Sequence, residues 1–172
     1  MPYLSVPASA AEKWRWLQAD SARPRIGLAW SGNPEHTNDR ERSIRFELLE
    51  PLLSLPATFI SLQREYRSYD LADLKQESRV LDLSERISDF SDTAAIIQNL
   101  DLVIAVDTSV AHLAGALGAK LWLLLPSAPD FRWMLNRLDS PWYPTARLFR
   151  QAEKEDWTGV IERVRGELCG LY

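Results

Sequence analysis

The chain has 172 residues, 46% of them hydrophobic and 26% charged, which is the composition of a soluble globular protein and not of a disordered one. Its formal net charge of −4 gives no basic field for nucleic acid, and its longest apolar runs fall far short of a membrane span of ~20 residues. No signal peptide is evident and the single Cys169 cannot form an internal disulfide, so we expect a cytoplasmic protein.

Residues 1–20 are predicted to be a lead-in to a domain that spans residues 21–172. The lead-in has two prolines among its first seven residues and is expected to start extended, then to form a short amphipathic helix at 10–19. Its apolar side chains Tyr3, Leu4 and Trp14 need a surface to dock on, which a preceding domain would supply.

Apolar segments alternate with helical patterns along the domain. Strands are predicted at 25–30, 58–62, 79–83, 102–106, 120–125 and 147–150. Helices are predicted at 47–53, within 66–76, at 94–99 after a cap of Ser91, Asp92 and Thr93, after Ser109, and at 156–168. This alternation predicts an α/β fold: one Rossmann-like parallel sheet with helices on both faces.

One stretch combines a buried strand, a polar turn and a helix. The run 102–106 leads into Asp107, Thr108 and Ser109, and a helix rich in small residues follows. Such a turn leaves free backbone N–H groups at the carboxyl edge of a parallel sheet, where phosphate is favoured. Asp107 is either an N-cap of this helix or a part of a ligand site in which Thr108 and Ser109 donate to a phosphate. His112 lies one turn further on, where it either faces the same site or is a neutral core histidine.

Polar residues also follow the first two strands. Ser31 and Asn33 open a long loop, and the loop continues with three arginines that either offset a diphosphate or belong to a solvated charged surface. These arginines are Arg40, Arg42 and Arg45. Gln63 and Glu65 follow the second strand and are candidates to accept hydrogen bonds from a sugar. Phe90 is placed either to stack on a base or to act as a hydrophobic staple before a helix cap.

Several familiar motifs are absent from the sequence. It has no GxxxxGK[ST] phosphate loop and no GxGxxG dinucleotide fingerprint. His36, His112 and Cys169 are scattered, which argues against a zinc site. Asp107, Ser109 and His112 share one turn, whereas members of a hydrolase triad converge from separate loops. We expect no metal and no cofactor.

Together, these stretches resemble the C-terminal, donor-binding half of the heptosyltransferase-like glycosyltransferases (family 9, GT-B fold), in the version found at the end of bacterial tetratricopeptide-repeat proteins. The resemblance rests on PYL at 2–4, RIGLAWSGNPEHTNDRERSI at 25–44, SLQ at 61–63, DFSDTAAII at 89–97, LDLVIAVDTSVAHLAGALG at 100–118 and DFRWMLNRLDSPWYPTARLFRQ at 130–151.

The resemblance implies a role for each matching position. Residues of the D-T-[GS]-x-x-H turn would contact the diphosphate and sugar of the donor; here they are Asp107, Thr108, Ser109 and His112. Ser31 and Asn33 would bind phosphate, Arg42 would neutralise the diphosphate, Gln63 or Glu65 would approach the ribose, and Phe90 would lie near the base.

The resemblance also implies a function and its partners. The domain would bind a nucleotide-diphospho-sugar as the donor half of a metal-independent GT-B glycosyltransferase. The acceptor would be held by an N-terminal domain that this chain has no room for, so the chain alone is expected to be inactive, and a tetratricopeptide-repeat region is a further expected partner. The alternative is a non-catalytic interaction module with Trp133, Trp142 and Tyr143 as exposed contact residues. Nucleotide-sugar hydrolysis or epimerisation is a third, weaker option.

Overall fold

The computed structural model describes residues 2–18 and 23–171. The strands are β1 Arg25–Ala29, β2 Thr58–Ser61, β3 Val80–Leu81, β4 Leu102–Val106, β5 Leu121–Leu125 and β6 Ala146–Arg150. They form one sheet in the order β3-β2-β1-β4-β5-β6, and every neighbouring pair is parallel. The predicted Rossmann-like parallel sheet is therefore confirmed.

Helices connect these strands. Within the described residues they are α1 Ala8–Trp14, α2 Asp39–Arg42, α3 Glu50–Leu53, α4 Ser68–Gln76, α5 Phe90–Gln98, α6 Ser109–Ala116 and α7 Trp157–Leu171. Short 3₁₀ turns lie at Arg15–Gln18, Phe46–Leu49, Ser84–Arg86 and Phe131–Trp133. None of the described helices has both the length and the apolar character needed to cross a bilayer.

Successive side chains of a strand point to opposite sides of the sheet, so each strand contributes apolar side chains to both faces. Helices cover both faces. On β4, Val103 and Ala105 pack with α1, α5 and α6 in one core, whereas Ile104 and Val106 pack with α7 and the 3₁₀ turn Phe46–Leu49 in the other. A central parallel strand must be apolar on both faces, which is why all five residues of β4 are apolar and buried.

The lead-in packs on the domain through Trp14. The indole of Trp14 is fully buried, and its Nε1 donates to Asp92 Oδ1 at 2.7 Å. The Tyr3 and Leu4 side chains are exposed, but their backbone N–H groups donate to the Ala116 carbonyl oxygen. The prediction that Trp14 needs a surface is confirmed, and the first half of the predicted helix is α1; position 19 lies outside the described residues.

Three predicted helix and strand boundaries are wrong. Helix α5 begins at Phe90, because the Asp89 carboxylate and not Ser91, Asp92 or Thr93 caps it. Strand β3 has only two residues. The segment predicted as one helix at 47–53 is a 3₁₀ turn followed by α3, with a proline near the start of α3.

Candidate functional site

The order of the strands creates a crevice between β1 and β4. The chain runs outward from β1 to β2 and β3, then returns to place β4 on the other side of β1. The loops after β1 and β4 therefore leave in opposite directions at their carboxyl ends. This switch point is where open parallel sheets bind ligands.

The loop after β1 is held by the amide of Gln63. Gln63 Oε1 accepts from the backbone N–H groups of Trp30 at 2.7 Å and Ser31 at 2.8 Å, and its Nε2 donates to Ser31 Oγ at 3.0 Å. Nε2 also donates to the Glu65 carbonyl oxygen. All polar groups of this buried side chain are thus engaged within the protein. Gln63 lines the crevice, but its structural task is to shape the loop that carries Ser31.

Arg42 joins this loop to the turn after β4. Its Nη1 donates to the Asp107 carbonyl oxygen at 2.7 Å. The guanidinium lies directly over Gly32, where a Cβ would come within 2.6 Å of Nη2, so a side chain at this position would displace the guanidinium. Asp39 lies on the other side, with Oδ1 at 3.5 Å from Arg42 Nε. The cation that the resemblance assigns to the diphosphate is therefore fixed at the switch point.

Arg67 is a second cation that the sequence analysis missed. Its guanidinium pairs with the Asp39 carboxylate and donates to the Gly32 carbonyl oxygen at 2.8 Å. It comes from the segment after β2 and reaches across to the loop after β1. No local pattern marks it, because its neighbours Arg64 and Glu65 give the same alternating charges as a solvated surface.

The first turn of α6 completes the crevice. Its N-cap, Thr108, has extended backbone angles but makes no side-chain cap hydrogen bond. The Thr108 residue is buried, and its Oγ1 has no partner among the described residues. A buried hydroxyl without a partner is a group that a ligand or an ordered water would satisfy. The open helix end adds a positive partial charge to the arginines that face it.

These groups surround a pocket of about 590 Å³, within the size range of small-ligand sites. It is lined by Ser31, Gly32, Asn33, Pro34, Arg42, Gln63, Arg64, Glu65, Tyr66, Arg67, Thr108 and Ser109. Three of these side chains are arginines and one is a carboxylate, so the pocket favours an anion. Six predicted site residues, together with Glu65, therefore line this pocket; they are Ser31, Asn33, Arg42, Gln63, Thr108 and Ser109.

Asp107 and His112 form a separate cluster beside this pocket. His112 Nε2 lies 3.5 Å from Asp107 Oδ1, and its Nδ1 lies 3.0 Å from Tyr143 Oη. The imidazole stacks on the Trp133 indole at 5.3 Å between ring centroids. Burial has the largest single influence on the Asp107 carboxyl and raises its pKa, but the surrounding donors and positive charges, His112 foremost, together outweigh burial and leave the pKa lowered. Asp107 therefore pairs with His112 as an anion and does not cap α6 with its side chain.

Two expectations about aromatic residues are wrong. Trp133 and Tyr143 were expected to be exposed, but both are buried against His112, and of the three aromatics only Trp142 is exposed. Burial, followed by the interaction with the neighbouring Tyr3 hydroxyl, raises the pKa of Tyr143 to about 12, so its hydroxyl keeps its proton at neutral pH. Phe90 is the first residue of α5 and does not precede its cap, so it is not a staple before the cap; its side chain is 59% exposed and lies outside the pocket lining, and its place near a base stays a prediction.

Among the described residues, no three or more metal-ligating side chains come together. The pocket is lined instead by arginines, by hydroxyls and by the uncapped first turn of α6. Such groups can also stabilise negative charge that develops on a leaving group.

No family model matches the chain. Protein FlbA of Caulobacter vibrioides is 29% identical over 166 residues, which cover 92% of this chain and 27% of FlbA. The chain thus spans about a quarter of that curated relative.

Two solved structures share the fold. The ADP-heptose LPS heptosyltransferase II of E. coli superposes with a TM-score of 0.68 at 19% identity, over 99% of this chain and 53% of that one. The family 9 glycosyltransferase of Veillonella parvula gives a TM-score of 0.66 at 10% identity, over 98% and 51%. This chain spans about half the length of each. It therefore has the Rossmann-like α/β fold of one half of these glycosyltransferases.

Proposed function

We propose that the chain is the donor-binding part of a metal-independent glycosyltransferase of the heptosyltransferase-like family and that it binds a nucleotide-diphospho-sugar in the pocket at the switch point. One observation carries the proposal: the uncapped first turn of α6 faces Arg42 across a pocket that also contains Arg67. The fold shared with two glycosyltransferases, one of them named for ADP-heptose, supports the choice of ligand.

The diphosphate of the donor fits this pocket by charge and by hydrogen bonding. Its oxygens would accept from the N–H groups of α6, from Ser109 and Ser31, and from the guanidinium of Arg42, which is fixed by its bond to Asp107. When the glycosidic bond breaks, charge grows on the leaving diphosphate. The same donors stabilise that charge without a metal ion.

The acceptor and the rest of the catalytic machinery would come from elsewhere. We propose that an N-terminal domain, in a longer protein that also contains a tetratricopeptide-repeat region, holds the acceptor against the carboxyl edge of this sheet. The chain by itself would then bind the donor but transfer little or no sugar.

A second candidate is a non-catalytic interaction module. The segment between β5 and β6 exposes large apolar side chains, with Phe131 at 84% and Trp142 at 58% of their full exposure. A partner protein would cover such a patch. This function does not require the anion pocket to be occupied, so a binding experiment separates the two candidates.

The test is calorimetric titration of the chain with ADP, UDP, GDP and their sugars. Arg42→Ala should weaken the binding by about tenfold or more, because a hydrogen bond to a charged group contributes roughly 1.5–3 kcal/mol. The matched control is Arg40→Ala, which removes an exposed arginine of the same loop that does not line the pocket. If the wild-type chain binds none of these nucleotides, or if both variants weaken binding equally, the donor-binding function is wrong.

A further inference from the structure

The cluster beside the pocket links three side chains in a row. Tyr143 Oη lies 3.0 Å from His112 Nδ1, and His112 Nε2 lies 3.5 Å from the Asp107 carboxylate. Asp107 stands between this cluster and the pocket, because its carbonyl oxygen accepts from Arg42. The residue is thus held from two sides: the backbone by Arg42 and the carboxylate by His112.

Tyr143 is seated by specific packing. Its ring lies against Gly115 of α6, where a Cβ would come within 2.4 Å of the ring. Its backbone N–H donates to Ser140 Oγ, and the side chain is almost fully buried. The Trp133 indole covers the flat face of His112. The imidazole consequently has little freedom to rotate.

A hydrogen-bond donor at Nδ1 fixes which nitrogen of the His112 ring carries the hydrogen. When the Tyr143 O–H donates to Nδ1, the ring hydrogen is on Nε2, which faces Asp107. Nε2–H then attracts the carboxylate.

This arrangement has a consequence for α6. A carboxylate beside the first turn of a helix is drawn to the free N–H groups and to the positive end of the helix dipole. There it would occupy the donors that an anionic ligand needs and would repel that ligand. In the structure, the Asp107 carboxylate faces His112, and α6 has no side-chain cap.

We propose that Tyr143 is a positioning residue: through His112 it holds the Asp107 carboxylate away from the first turn of α6 and so keeps the anion pocket open. The inference rests on the proposed function, because it assigns the purpose of the cluster to that same pocket. It extends the site to a segment between β5 and β6 that does not line the pocket.

The test is a comparison of two genetic backgrounds with inorganic pyrophosphate as the probe. Tyr143→Phe keeps the ring and removes only the hydroxyl; it should weaken pyrophosphate binding about tenfold in the wild-type background. In an Asp107→Ala background the same change should have no effect, because no carboxylate remains to be released. The control is Tyr69→Phe, which removes the hydroxyl of an exposed tyrosine outside the pocket and should change nothing.

A spectroscopic measurement tests the positioning without a ligand. The sequence has two histidines, so a His36→Gln variant leaves the imidazole nitrogen signals of His112 alone. Long-range ¹⁵N–¹H spectra should show the proton of His112 on Nε2, and Tyr143→Phe should move the Nδ1 resonance downfield, towards that of a nitrogen without a hydrogen-bond donor.

The outcomes separate the two proposals. If the Nδ1 signal shows the Tyr143 hydrogen bond but the wild-type chain binds no pyrophosphate, the proposed function is wrong, and the inference is wrong with it. If the wild-type chain binds pyrophosphate, but Tyr143→Phe lowers the affinity equally in both backgrounds or in neither, only the positioning role is wrong. An Nδ1 resonance that does not respond to Tyr143→Phe also overturns it.

Discussion

Helices α5 and α6 both begin at the carboxyl edge of the sheet, but a side chain caps the first turn of α5 only. At α5 the Asp89 carboxylate accepts from the N–H groups of Ser91 at 2.8 Å and Asp92 at 3.2 Å. At α6 the N-cap Thr108 makes no such bond. A helix start needs acceptors for its free N–H groups. A side chain of the chain supplies them at α5, whereas no side chain caps α6.

The first turn of α5 also anchors the lead-in. Asp92 accepts from Trp14 Nε1 and from Lys13 Nζ, both at 2.7 Å, and from the backbone N–H of Ser88 at 2.8 Å. Burial opposes ionisation of Asp92, but these donors outweigh it and lower the pKa to about 2. The start of α5 therefore anchors another segment of the chain, whereas the start of α6 has no side-chain cap and lines the pocket. Changes at the two ends should have different readouts.

The largest effect is expected from Trp14→Ala, which breaks this anchor at α5. It empties a fully buried indole site and leaves the Asp92 carboxylate without one donor, so the free energy of unfolding should fall by about 3–5 kcal/mol. Urea unfolding measures the change. The control is Trp16→Ala, whose side chain is 42% exposed and should cost at most about 1 kcal/mol. A similar loss for both variants would mean that the lead-in is not anchored through Trp14.

A smaller effect is expected from Asp89→Ala, which removes the cap of α5. The loss should be about 1 kcal/mol in the free energy of unfolding, the usual contribution of a capping carboxylate. Pyrophosphate affinity, measured by calorimetry, should stay the same because Asp89 does not line the pocket. Asp73→Ala, an exposed position on α4, serves as the control and should change stability by less than about 0.5 kcal/mol. Loss of pyrophosphate binding in Asp89→Ala would contradict the separation of the two ends.

The fold could be predicted from the sequence because its signals are local. The apolar runs of β1, β4 and β5 and the helical patterns between them need no knowledge of distant contacts. The same holds for the polar turn at Thr108 and Ser109, since parallel strands place the turns that follow them at one edge. Sequence and topology together were enough to put Ser31, Arg42 and these two residues near one another.

Which polar groups would pair with one another could not be predicted. Asp89 and Asp92 are both good capping residues three positions apart, and only the presence of Trp14 and Lys13 decides that Asp92 turns away. Asp107 was expected either to cap α6 or to bind a ligand, because nothing local shows that His112 competes for it. Burial of Trp133 and Tyr143 depends in the same way on α6, through His112 and Gly115.

The smallest effect is expected at Thr108, and its sign distinguishes the two helix ends. Thr108→Val replaces a buried hydroxyl that has no partner with a methyl group of the same shape, so the free energy of unfolding should stay the same or rise by up to about 1 kcal/mol. An ordinary N-cap threonine would instead lose about 1 kcal/mol on this change. Thr93→Val on α5 is the matched comparison: the buried Thr93 hydroxyl donates to the Asp89 carbonyl oxygen, so this variant should lose about 0.5–1.5 kcal/mol.

Pyrophosphate should bind Thr108→Val several-fold more weakly and Thr93→Val normally, because only Thr108 lines the pocket. Equal losses of stability in both variants would show that the start of α6 is satisfied within the chain, and the open helix end on which the anion site depends would then be wrong.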